Sequence, residues 1–273
     1  MNRFVMLLVL FAAGAVLPQE KASVLTKKWE YKIMERVYLA TPSGWINHMP
    51  WLISSPAIGN LGNGGPDLEV VTGTEEGFGE WFPRGQNSGR YVCVSSKGTK
   101  VWEYETKNNA GRASPAIADV DGDGALDCTG GSTSGWMVHC FDKDGAKKWR
   151  FECKNHSNVL AAPATADLTS DAGLETIGVA LDGNVYCISA AGKELWSCAP
   201  AGESRGFSCC AAAAIADLDN DGKGEVIVSL SAANTRTYCL DGQTGRVKWT
   251  SEQLGGGGSY AIVSPAILPK ADP

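Results

Sequence analysis

Histidine is nearly missing from this chain. Only His48, His139 and His156 occur among 273 residues, which leaves the usual acid–base and nucleophile–base arrangements little to draw on. His139 sits in an alternating apolar segment and reads as a packing residue, and His156 falls in a polar turn. His48 lies in the aromatic stretch Trp45-Ile46-Asn47-His48-Met49-Pro50-Trp51. No Cys-x-x-Cys pair exists although there are nine cysteines, which argues against zinc. Positive charge is not in excess: 24 Lys and Arg face 30 Asp and Glu, for a net charge of −6, and this argues against a nucleic-acid surface, which needs a basic patch. Past residue 20 no apolar run is long enough for a membrane span. Nor does any segment there carry a persuasive amphipathic helical period, although 23–37 can be read either way.

The beginning of the chain has what the rest lacks. Met1-Asn2-Arg3 supplies one positive charge, Phe4 to Phe11 an apolar run too short to cross a bilayer, and Ala13-Gly14-Ala15 a small-x-small cleavage site. This order is that of a signal peptide, over residues 1–15, and the expectation is export to the periplasm, the cell surface or the medium. A hydrophobic fraction of 44% with 20% charged residues fits a soluble globular protein.

What fills the remaining chain is one unit written four times. Ser55-Pro56-Ala57-Ile58 recurs as Ser114-Pro115-Ala116-Ile117, Ala162-Pro163-Ala164-Thr165, Ala212-Ala213-Ala214-Ile215 and finally Ser264-Pro265-Ala266-Ile267. The first four are each followed by a polar loop, an apolar run such as Glu225 to Val228, a segment like Tyr186-Cys187, and a tryptophan. Those tryptophans are Trp102, Trp149, Trp196 and Trp249, spaced 47, 47 and 53 residues apart. The apolar runs are short, rich in Val, Ile, Tyr and Trp, and bounded by Gly, Asn, Asp or Ser, as strands joined by tight turns are. Asp182-Gly183-Asn184 is a hairpin signal of this kind. Four short strands per period of about 40 to 50 residues predict an all-β fold, a β-propeller. The blades fall at about 54–105, 112–152, 160–198 and 210–251, with a partial unit at 262–273, inside a repeat region of 54–273. Residues 16–53 read as an N-terminal strand and an aromatic connecting segment.

Cys239-Leu240-Asp241-Gly242-Gln243-Thr244-Gly245-Arg246-Val247-Lys248-Trp249 resembles the quinoprotein (PQQ-like) propeller repeat, in which an Asp, a Thr-Gly turn and a Trp recur at this spacing. The other copies are one residue shorter and drop the Thr, as in Cys140 to Trp149. That resemblance implies that Trp102, Trp149, Trp196 and Trp249 dock each blade on the next. Two of the loops resemble the calcium loops of FG-GAP (VCBS-type) repeats, the units of integrin alpha chains.

Those loops are Asp119-Val120-Asp121-Gly122-Asp123-Gly124-Ala125-Leu126-Asp127 and Asp217-Leu218-Asp219-Asn220-Asp221-Gly222-Lys223-Gly224-Glu225. Acids occupy positions one, three, five and nine of both. Calcium takes six to eight oxygen ligands, and carboxylates at alternate positions of a tight loop turn several toward one centre. The expected ligands are Asp119, Asp121, Asp123 and Asp127, and Asp217, Asp219, Asp221 and Glu225. Asp167, Asp171 and Glu175 form a weaker set, with Thr169 at position three. The alternative is that these side chains brace turns in their own backbone. The first copy, Asn60 to Asp67, has lost the pattern and reads as a plain turn. Such ions would be structural, since each loop is a repeated connection rather than a convergent site.

Cys93, Cys140, Cys187 and Cys239 occupy one place in successive blades, which favours small buried residues over bridges. Cys198 with Cys209 or Cys210 is the best candidate for a disulfide, and Cys128 is a candidate to face Cys140 across a hairpin. The vicinal Cys209-Cys210 resembles the ring disulfide beside the cofactor of quinoprotein alcohol dehydrogenases, yet the catalytic acid of those enzymes has no counterpart here, so bound PQQ is not expected. Residues Thr74 to Arg90, with Phe78, Trp81, Phe82 and Arg84, form an insertion that suits either a recognition surface or a cover for a blade edge. Lys28-Trp29-Glu30-Tyr31 resembles Val101-Trp102-Glu103-Tyr104, so the strands at the two ends read as parts of an open arc or of a chain cut short. The sequence thus predicts an exported, calcium-stabilised propeller that binds a protein or glycan without catalysis. A quinoprotein-like dehydrogenase or a polysaccharide-lyase-type propeller enzyme is the alternative.

Overall fold

A computed structural model describes residues 37–41, 44–48, 54–62, 67–76, 88–106, 113–132, 135–202, 211–230, 235–254 and 264–267. Ahead of the repeats, β1 (Val37–Thr41) and β2 (Gly44–His48) pair as an antiparallel hairpin with Val37 opposite His48. Four sheets of four strands follow, each an antiparallel meander in chain order. Blade 1 is β3 (Ala57–Gly59), β4 (Glu69–Glu76), β5 (Ser88–Val94) and β6 (Lys100–Glu105). Blade 2 is β7 (Ala116–Ala118), β8 (Asp127–Gly131), β9 (Met137–Phe141) and β10 (Lys147–Glu152). In blade 3 come β11 (Ala164–Ala166), β12 (Glu175–Val179), β13 (Val185–Ile188) and β14 (Glu194–Cys198). Blade 4 holds β15 (Ala214–Ala216), β16 (Glu225–Leu230), β17 (Arg236–Asp241) and β18 (Val247–Thr250).

The first strands of successive blades lie side by side, β3 by β7, β7 by β11 and β11 by β15, as the inner strands of a β-propeller do. Their sequence explains why they can. Ala, Gly and a single Ile or Thr keep these three-residue strands thin, and a Cβ added to Gly59 would already stand 3.0 Å from Ile117. The Ser-Pro-Ala-Ile motif adds a tie at this level: the Ser55 N–H donates to Ser114 Oγ at 2.8 Å. Ala212 N–H donates to Ser264 Oγ at 3.0 Å in the same way, so Ser264 stands to blade 4 as Ser114 stands to blade 1.

The hydrophobic core is not one mass but a series of seams between blades. Val71, Tyr91, Cys93 and Trp102 of blade 1 meet Cys128 and Phe141 of blade 2. Val138, Cys140 and Trp149 meet Tyr186 and Ile188. Ile177, Val185 and Trp196 meet Val226, Val228 and Leu240. The middle strands β8, β12 and β13 are buried along their whole length, because a blade is covered on both faces. Each large apolar side chain removed from water here contributes roughly 1.5–3 kcal/mol. Glycine allows the first seam to close: a Cβ on Gly130 would overlap the Tyr91 ring, and the Tyr91 hydroxyl donates to Gly131 O at 2.8 Å.

Candidate functional site

Two features recur blade after blade, an indole at the outer strand and a polar loop between the first two strands. The last strand of every blade carries a β-bulge just before its tryptophan. Lys147 pairs with Phe141 and Trp149 with Cys140, so Lys148 is the extra residue; Val101, Leu195 and Lys248 hold the same place in the other blades. A bulge re-aims side chains, and here it turns the indole toward the following blade.

Trp102 donates from Nε1 to Lys143 O at 2.6 Å, and Trp196 to Gly242 O at 2.9 Å. Beneath the indoles lie turn glycines with positive φ. A Cβ on Gly145 would come 2.9 Å from the Trp102 ring, and one on Gly245 2.5 Å from Trp196. A Cβ on Gly192 would come 2.7 Å from Trp149, whose own ring N–H lacks an acceptor among the described residues. Trp102, Trp149 and Trp196 are buried, whereas Trp249 is 46% exposed. Directly across the ladder from the four indoles stand Cys93, Cys140, Cys187 and Cys239. All four thiols are buried and free. A small polarisable side chain opposite a large ring explains why cysteine recurs there.

Cys128 faces Phe141, and Cys140 faces Thr129. The expectation that Cys128 faces Cys140 is therefore corrected: the two are one residue out of register, so their side chains point to opposite faces of the sheet, and both thiols are free. Cys209 and Cys210 lie outside the described residues, and with them the expected bridge to Cys198. The segment 77–87 and the side chains of Trp45 and His48 lie outside them too. His139 is buried against Tyr104, whose hydroxyl lies 3.3 Å from its Nδ1, and His156 stacks on Trp136 at 4.3 Å.

In the acidic loops each position has its own task. Position one braces the turn: Asp119 accepts from the N–H groups of Gly122 and Gly124, both at 2.9 Å. Asp217 likewise accepts from Asp221 at 3.2 Å and Gly222 at 2.9 Å. Position five does the same over a shorter reach, Asp123 Oδ1 accepting from Ala125 and Asp221 Oδ1 from Lys223. Position nine opens the next strand and is buried. Its carboxylate accepts the N–H of position two, in Asp127 from Val120, in Glu175 from Leu168 and in Glu225 from Leu218.

Blade 1 keeps this last bond as well. Glu69, buried at the start of β4, accepts from Leu61 N at 2.8 Å. The sequence reading missed Glu69 because one extra residue in the first loop displaces it from position nine. Its register was the available signal, since Glu69 pairs with Gly59 as Asp127 pairs with Ala118 and Glu225 with Ala216.

Among the described residues, oxygens of Asp119, Asp121 and Asp127, and of Asp217, Asp219 and Glu225, each fall within 4.8 Å of one another. Asp123 and Asp221 are not in these groups, nor are Asp167, Asp171 and Glu175. In the third loop Glu175 accepts from Thr169 Oγ1 at 2.9 Å instead. The convergence suits a cation, but an amine already stands in each. Lys148 Nζ lies 2.7 Å from Asp121 Oδ2 and 2.8 Å from Asp127 Oδ1. Lys248 Nζ lies 2.6 Å from Asp219 Oδ2 and 2.9 Å from Glu225 Oε1. The donor set therefore fits a lysine ammonium better than an open cage for a metal ion.

The electrostatics agree. The Lys148 ammonium paired with it holds the Asp121 carboxyl below its ordinary range, and Lys248 does the same for Asp219. Burial pushes Asp127 up, and Lys148 offsets only part of that. Partial burial opposes the charge on Lys148, yet its ion pairs with Asp121 and Asp127 outweigh that and hold it protonated.

The family described as "Outer membrane protein assembly factor BamB" matches residues 134–270 of the chain. No curated protein matches. Among solved structures, BamB from Moraxella catarrhalis is 21% identical over 59% of this chain and 42% of its own, with a TM-score of 0.41. The biofilm matrix protein Bap1 of V. cholerae is 20% identical over 85% and 43%, with a TM-score of 0.45. A quinohemoprotein alcohol dehydrogenase from Pseudomonas putida HK5 is 15% identical over 68% and 33%, with a TM-score of 0.46. The chain thus spans less than half the length of each of these structures. No helix among the described residues is long and apolar enough to cross a membrane.

Proposed function

Because the chain belongs to the propeller family described as outer membrane protein assembly factor BamB, we propose that it is an exported, non-enzymatic propeller that presents a binding or scaffolding surface. The family's description favours protein over glycan as the partner. Export rests on the signal-like order of residues 1–15, and the family description supports the periplasm or the cell surface as the destination. The observation that carries the reading is what the repeated polar groups do. Position-nine acids, turn carboxylates and the indole N–H groups of Trp102 and Trp196 are spent on bracing loops and seams, and a rigid array of this kind suits presentation of loops to a partner.

The test is to immobilise the purified chain and measure binding to unfolded outer-membrane polypeptides by interferometry, with a glycan array run beside it. Saturable binding to either class supports the proposal. The competing enzyme readings are addressed by reconstitution with quinone followed by a dye-linked dehydrogenase assay, and by a lyase screen. Turnover in either would overturn the non-enzymatic reading.

A further inference from the structure

Sequence reading expects calcium in the acidic loops of blades 2 and 4; we propose instead that Lys148 and Lys248 are the resident counter-ions of these loops, bracing them without metal. Three observations converge. The amines sit among the carboxylates at 2.6–2.9 Å, each touching one acid at position three and the buried acid at position nine. Both lysines occupy the bulge position before the tryptophan, and from there each reaches the loop of its own blade. And the residue at that position follows the loop. Blades 2 and 4, whose loops carry acids at positions one, three, five and nine, have lysine there. Blades 1 and 3, whose loops lack an acid at position three, have Val101 and Leu195.

The pairing in the third blade shows the same need met without charge. Thr169 replaces the acid at position three, its hydroxyl bonds Glu175, and the bulge residue is apolar. An acid at position three therefore brings its own amine with it. What sets blade 2 apart is a second carboxylate: Asp127, its side chain 1% exposed, lies beside Asp121, whose negative charge opposes its own, and such a pair is destabilising without a positive partner. Lysine meets that need from within the chain, so loop stability does not depend on the supply of divalent ions.

The experiment is thermal melting of the full chain by differential scanning fluorimetry. Wild-type protein is expected to melt at the same temperature in excess EDTA and in millimolar calcium, and a fall in EDTA overturns the proposal without any variant being made. Lys148→Met is expected to lower the melting temperature by about 3–6 °C. Adding Asp121→Asn to it should restore part of the loss, because one stranded carboxylate is removed. Leu195→Met, at the same bulge of blade 3, should leave melting unchanged. If Lys148→Met melts as wild type, if Asp121→Asn only adds to its loss, or if Leu195→Met loses as much, the lysine is not a counter-ion.

Discussion

Buried beside Tyr104 and paired across the ladder with Arg150, His139 is held neutral, its pKa lowered to about 4 by burial first and by Arg150 and Lys147 second. In the unfolded chain the same group titrates near 6.5. Between those values the unfolded state binds the proton and the folded state does not, so folding stability is fully present above about pH 6.5 and falls as pH drops toward 4. The shift corresponds to roughly 3 kcal/mol at the acid end. Urea unfolding at pH 7 and pH 5 should show a loss in wild type that His139→Leu reduces. A variant with the same pH slope would show that other groups carry it.

At the scale of the element, the unit of construction is an indole laid on a turn glycine. Trp196→Ala should cost about 3–5 kcal/mol, since the ring is buried in the seam and its N–H is bonded. Trp249→Ala should cost well under half of that, its ring being 46% exposed. Equal losses in chemical denaturation would contradict the seam as the source of stability. The glycines divide in the same way. Gly145 and Gly122 both have positive φ, but a Cβ at Gly145 would meet Trp102 at 2.9 Å and one at Gly122 meets nothing within 4 Å. Gly145→Ala should therefore destabilise clearly more than Gly122→Ala, by melting temperature.

The strand–turn punctuation and the spacing of the tryptophans made the blades legible, because inner strands, turns and indoles recur at fixed offsets. Two things stayed hidden. Glu69 escaped because an insertion breaks the count but not the hydrogen bond. Lys148 and Lys248 were not singled out beside their tryptophans, since simple alternation along a strand cannot reveal a bulge. The loops were legible as acid clusters but not as clusters with an amine inside them, a contact made between segments more than twenty residues apart.

For the molecule as a whole, apolar seams between neighbours make stability a chain of local contacts, as in other repeat proteins. The thiols report on those seams. Cys93, Cys128, Cys140, Cys153, Cys187 and Cys239 are buried and free, and burial pushes Cys93, Cys153 and Cys187 up to about 12. A thiolate is the reactive form. Iodoacetamide should leave these six unmodified in the native protein and label them after denaturation, as mass spectrometry of digests would show. Labelling of any of them under native conditions would mean that its seam opens.

Trp249 stands apart from its three buried counterparts. An indole half in water emits at longer wavelength than one sealed in a seam, and a soluble quencher reaches it more readily. Whatever comes to lie against blade 4 would shield that ring and shift its light toward the blue, so the protein carries its own optical sensor for occupancy of that face.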